Sequence, residues 1–113
     1  MLFRSFRLMR SGGELYFAEC KWTDAEVKQL AAALQCAHAE GATSQADRLN
    51  LQINQLTDAA LPILVEMLKA GAVPCLKELY LGANRGISDA AAKEAFKAAC
   101  EERGVKVEFW RIG

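Results

Sequence analysis

The side chains best suited to metal or nucleophilic chemistry are four cysteines, Cys20, Cys36, Cys75 and Cys100, and the single histidine, His38. A structural zinc site needs ligands in close pairs such as C-x2-C, and none of these residues is so spaced. The expectation is no metal, no cofactor and free, mostly buried thiols, with Cys20 inside the core. For acid–base work, Glu101 and Glu102 are neighbours on a helical stretch and therefore diverge. "GANRG" (82–86) carries two glycines without the lysine and spacing of a phosphate-binding loop, and no G-x-S-x-G occurs. With no nucleophile, base and orienting group in reach of one another, the chain is expected not to be an enzyme.

Recognition is the chemistry that remains. Tyrosine and arginine carry a large share of binding energy at protein interfaces. Tyr16, Arg48, Asn50, Gln52 and Tyr80 all fall at alternate positions of apolar-polar stretches. Ile63 and Met67 stand one helical turn apart in another segment. Net charge is zero from fourteen basic and fourteen acidic residues, so nothing draws the chain toward nucleic acid. Apolar runs such as "ALPILV" (60–65) are far too short to span a bilayer. The expected partner is a protein.

The elements that must position these residues come in three similar copies. Leu15-x-Phe17, Leu49-x-Leu51 and Leu79-x-Leu81 are aligned by period-two alternation. In that register Cys20, Asn54 and Asn84 coincide, as do Trp22, Leu56 and Ile87, and then Thr23-Asp24, Thr57-Asp58 and Ser88-Asp89. The third copy has one extra residue at Arg85-Gly86. Helical spacing follows each time: Val27, Leu30, Ala31 and Leu34; Leu61, Leu64, Val65 and Leu68; Ala92, Ala95, Phe96 and Ala99. Each unit thus reads as short strand, turn, amphipathic helix and return loop.

This pattern resembles the leucine-rich repeat, L-x-x-L-x-L-x-x-N/C-x-L, over about residues 14–109. Leu76, Leu79, Leu81, Asn84 and Ile87 fit it with the insertion. Ala46, Leu49, Leu51, Asn54 and Leu56 fit it, and Gly12, Leu15, Phe17, Cys20 and Trp22 fit more loosely. The helical half and the Thr/Ser-Asp before each helix resemble the ribonuclease-inhibitor-like subclass. The resemblance implies an α/β fold: a short solenoid, a right-handed β-α superhelix of about three repeats plus a terminal strand at 105–109. It further implies that Asn54 and Asn84 bond the backbone of neighbouring turns.

Strands are expected near 15–18, 48–52, 78–82 and 105–109, and helices near 24–39, 60–70 and 89–102. Thr or Ser should cap each helix, with a capping box at Thr23-x-x-Glu26. Gly41, Gly71 and Gly104 should end them. Pro62 is expected to leave a looser turn before a regular helix that starts near Leu61. Outward strand columns are then Glu14/Arg48/Glu78, Tyr16/Asn50/Tyr80/Glu108 and Ala18/Gln52/Gly82/Trp110. Outward helix columns are Gln29/Ile63/Glu94 and Ala33/Met67/Ala98, which makes Ile63 and Met67 a second candidate docking patch.

Residues 14–113 form the repeat domain in this reading. Residues 1–13, with Arg4, Arg7 and Arg10 and no acid before Glu14, are a basic segment: a cap, a short strand over 6–9, or a targeting-like sequence. The expected function is a non-catalytic protein-interaction or scaffold module, a small subunit of a larger assembly. The alternative is a regulator of a partner enzyme such as a GTPase. The expected location is intracellular and cytoplasmic; the Arg-rich N-terminus makes an organelle (mitochondrion or plastid) the alternative.

Overall fold

A computed structural model describes residues 13–109. The readings made for residues 1–12 and for Trp110 lie outside them. Elements alternate along the chain: β1 (Glu14–Tyr16), α1 (Asp24–Ala39), β2 (Arg48–Asn50), α2 (Ala60–Lys69), β3 (Glu78–Tyr80), α3 (Ala90–Glu101) and β4 (Lys106–Glu108). The strands form one four-stranded sheet in the order β1-β2-β3-β4. Every pairing is parallel, with Leu15, Leu49, Leu79 and Val107 in one row. Strands adjacent in sequence are adjacent in space, and α1 packs on α2 and α2 on α3.

The alternation read from sequence decides which side of the sheet is dry. Leu15, Leu49 and Leu79 are completely buried, in one core with Val27, Leu30 and Leu34 of α1, Leu61 and Leu64 of α2 and Phe96 of α3. Trp22, Leu56 and Ile87 are buried between the two layers, and Phe17 stacks on Trp22 with ring centroids 4.6 Å apart.

The strands are shorter than the alternation predicts because the chain begins to bend immediately after each. Pairing nevertheless runs one residue further: Phe17, Leu51 and Leu81 donate their N–H groups to the carbonyls of Asn50, Tyr80 and Glu108. The bend would strand polar backbone atoms, and Asn54 takes them up. Its Oδ1 accepts from Cys20 N–H at 2.9 Å and Trp22 N–H at 3.0 Å. Its Nδ2 donates to the carbonyls of Phe17, Leu51 and Gln52. Asn84 does the corresponding work one strand on, accepting from Leu56 N–H and donating to the carbonyls of Leu51, Leu81 and Gly82.

Cys20 differs from this pattern. It is exposed, not buried, because β1 is the first strand of the described sheet and no described turn precedes it to receive the side chain. All four cysteines are free, but only Cys100 is buried, and burial pushes its thiol up to about 12.

Helix starts follow local chemistry. Thr23 caps α1 in a full capping box with Glu26. For α3 the cap is Asp89 rather than Ser88, accepting from Ala91 and Ala92 N–H. Residue Ala59 precedes α2 and offers no side-chain bond; Thr57 Oγ1 accepts from Ala59 N–H instead. The helix begins at Ala60, so Pro62 falls in the first turn, where its missing N–H costs no helical bond. A second set of links joins the turns: Asp24 accepts from Thr57 N–H and hydroxyl, and Asp58 accepts from Asp89 N–H. The inner face of α3 is Phe96 and Cys100, whereas Ala95 is exposed. The helix is rotated so that its larger apolar groups face inward, and Phe96 meets Phe109 edge to face at 6.1 Å.

Two glycines have defined work. Gly71 follows α2 with φ of +74°, the left-handed value that closes a helix end. Gly86, at the Arg85-Gly86 insertion of the third copy, bridges to Thr57, and Asp58 N–H donates to its carbonyl. A Cβ at Gly86 would lie 2.6 Å from the Leu56 carbonyl oxygen and 2.9 Å from Thr57 Cγ2. Because backbone cannot yield as a flexible side chain does, Gly86→Ala is expected to cost about 1–3 kcal/mol in chemical denaturation. An unchanged midpoint would show that the turns can separate freely.

Candidate protein-binding face

The face of the sheet turned from the helix-side core carries the side chains at alternate strand positions. Across it the residues next to the leucine row read Glu14, Arg48, Glu78 and Lys106. Signs alternate from strand to strand, so each charge has opposite charges as lateral neighbours. The next row reads Tyr16, Asn50, Tyr80 and Glu108.

Three of these side chains are joined. Arg48 Nε donates to Glu78 Oε1 at 2.9 Å, and Tyr80 OH donates to the same oxygen at 3.0 Å. The Arg48 guanidinium also lies over the Tyr80 ring, 5.6 Å from its centroid. Arg48 and Glu78 keep 45% and 35% of their side-chain surface, so solvent screens the pair and its worth lies in orientation. The Tyr80 hydroxyl, and then the Arg48 hydrogen bond, hold the Glu78 carboxyl below its ordinary value.

A depressed carboxyl contributes stability that is present above the ordinary carboxylate pKa and is lost as pH falls through the depressed value. An NMR titration should place the Glu78 midpoint below about 4.3, the usual glutamate value. Tyr80→Phe should move that midpoint upward. No movement would assign the shift to Arg48 alone.

Among the described residues Tyr16 is the most exposed large hydrophobic side chain, at 57%. Asn50 and Gln52 are corrections: both are buried, at 7% and 4%. Asn50 ends β2, a middle strand whose register places it between Tyr16 and Tyr80, where a short side chain is shaded by longer ones, and Gln52 follows just beyond the strand. Asn50 turns inward on its own strand, its Oδ1 accepting from Gln52 N–H at 3.0 Å. The face therefore presents Tyr16, Arg48 and Tyr80, with Asn50 as its floor.

The helical patch is also corrected. Met67 is completely buried and Ile63 is half-buried. Helix α2 has a helix on each side, so positions that would be outward on an isolated helix are covered. Ile63 and Met67 do not form an exposed pair.

Sequence reading missed Ile53, which is 36% exposed in a left-handed conformation at φ of 56°. Such a φ is rare for a β-branched residue. Glu19 and Ala83 hold the same position before Cys20 and Asn84, each with φ of 58°. The turn sets this geometry, and its recurrence before the Cys/Asn position was the available signal. Among the described residues, no group of three or more His, Cys, Asp or Glu could hold a metal ion, and no helix is long and apolar enough to cross a membrane.

No family model matches the chain, and comparison with curated proteins and with solved structures found no match.

Proposed function

We propose that the chain is a leucine-rich repeat of the ribonuclease-inhibitor-like kind and works as a non-catalytic protein-interaction or scaffold module. Two observations support the family reading. The strands stack in sequence order, and Asn54 and Asn84 each tie the bend of one unit to the backbone of the unit before it. Short repeat arrays of this kind present a broad surface made of many small contributions, one per unit.

The observation that carries the functional reading is the exposed Tyr16 beside the Arg48–Glu78–Tyr80 cluster. Rigid aromatics and a pre-oriented arginine are the groups that carry interface energy, and here the sheet holds them in place. We place the protein inside the cell as a small subunit of a larger assembly, with the arginines at positions 4, 7 and 10 as the reason to test organelles as well as cytoplasm.

Affinity isolation of the native complex, followed by stoichiometry and cross-linking, tests this. A scaffold subunit co-purifies at a fixed ratio, with cross-links at Glu14–Tyr16 and Glu78–Tyr80. A partner whose turnover changes at substoichiometric amounts of the chain would replace scaffold by regulator. Cross-links confined to the helices would remove the strand face.

A further inference from the structure

The tripeptide Glu-Leu-Tyr occurs twice, at 14–16 on β1 and at 78–80 on β3. The two copies stand in the same register, with β2 between them. At the second copy an arginine is already seated. Arg48 reaches across from β2, donates Nε to Glu78 and lays its guanidinium over the Tyr80 ring, while Tyr80 OH holds the same carboxylate oxygen. The carboxylate takes the edge of the guanidinium and the ring takes its face.

The first copy has the same side chains, and among the described residues no arginine is seated on it. Glu14 is half-buried, and among the described residues no hydrogen bond or ion pair reaches its carboxylate. Arg48 lies close enough to feel the Glu14 charge, but its bond is to Glu78. Tyr16 is 57% exposed, whereas Tyr80 beneath Arg48 is half-buried. Among the described strands the row Glu14, Arg48, Glu78, Lys106 alternates in sign and ends at β1 on an acid. Continuing the alternation past β1 calls for a cation.

We infer that Glu14 and Tyr16 form a receptor for an arginine side chain of a partner protein, bound on the flank of β1 away from β2 as Arg48 is bound by Glu78 and Tyr80. This rests on the strand face being the binding surface. Arginine fits and lysine does not, because only a planar donor gives its edge to a carboxylate and its face to a ring at once. An ammonium group is a strongly hydrated point charge and makes one contact at the expense of the other.

The test uses the full chain, isotope-labelled, titrated with N-acetyl-arginine amide while backbone amide and tyrosine ring resonances are followed. N-acetyl-lysine amide and N-acetyl-citrulline amide are the controls. Saturable shifts at Glu14–Tyr16 are expected with the arginine probe, weaker by about threefold or more with lysine and absent with citrulline, which keeps the shape but loses the charge. Glu14→Gln and Tyr16→Ala, both surface changes, should each weaken the arginine response about tenfold while leaving the Arg48 and Tyr80 signals in place. Equal response to lysine, no response, or shifts that survive Glu14→Gln would each overturn the inference. A wild-type chain that ignores the probe, with binding gained by the Arg4→Gln, Arg7→Gln, Arg10→Gln triple variant, would give the site to the chain's own arginines and overturn it equally. Failure here, with Tyr80→Ala still releasing the partner, would leave the proposed function standing; a partner retained by both Tyr16→Ala and Tyr80→Ala would remove that function instead.

Discussion

Leu79→Ala is expected to lower the unfolding free energy by about 2–5 kcal/mol. Leu79 is completely buried and lies in the leucine row between Leu49 on β2 and Val107 on β3's other neighbour, β4. Helices cover the same core from above, so atoms surround the side chain on every side. The loss has two parts: the transfer energy of the deleted carbons, and the cavity left because a parallel sheet cannot close up around it. Small domains are stable by only about 5–15 kcal/mol, so the loss is a large share of the total. Chemical denaturation should show a lower midpoint with an unchanged slope. A loss under about 1 kcal/mol would mean that the row is loosely packed and that the two layers do not share one core.

Asn54→Ala is expected to cost about 3 kcal/mol, although it removes no apolar surface. One amide side chain satisfies backbone groups from two consecutive turns: Cys20 and Trp22 N–H on one, and the Phe17 carbonyl with those of Leu51 and Gln52 on both sides of the bend. Asn54 is 8% exposed and Trp22 4%, so water reaches the stranded groups poorly. An orphaned buried donor costs about 1–3 kcal/mol, and the variant orphans one fully and others in part. Asn54→Asp should recover the acceptor bonds to Cys20 and Trp22 but not the donor bonds, and should fall between. A melting temperature unchanged in Asn54→Ala would show that the bend is solvated.

The parts of this structure that sequence made legible are those governed by local periodicity. Alternation of Leu15, Leu49 and Leu79 with polar neighbours gave the buried face, and an asparagine after the second leucine marked the bend, since an apolar residue there would leave backbone groups unpaired. What stayed hidden depends on neighbours in space. Met67 reads as outward on one helix and is buried because α2 has helices on both flanks. Cys20 reads as equivalent to Asn54 and is exposed, standing at the first strand of the described sheet. Asn50 and Gln52 fall at outward positions of β2 and its continuation, yet both are buried, Asn50 between Tyr16 and Tyr80 of the flanking strands. The Asp24–Thr57 and Asp58–Asp89 links join side chains and backbone about thirty residues apart, a pairing visible only once the turns are stacked. Ile53 is the reverse case, where nothing about an isoleucine announces a left-handed φ and only its position before Asn54 does.

The strand face as the binding surface is the central claim, and one comparison tests it most directly. With the natural partner purified from the native complex, its dissociation constant is measured for wild type and for Tyr16→Ala, alongside thermal melting of each. Tyr16 keeps 57% of its surface exposed, so its melting temperature should hold while affinity weakens by about 1 kcal/mol or more, roughly fivefold or greater. Unchanged affinity in Tyr16→Ala, with the partner also retained by Tyr80→Ala, would contradict the account.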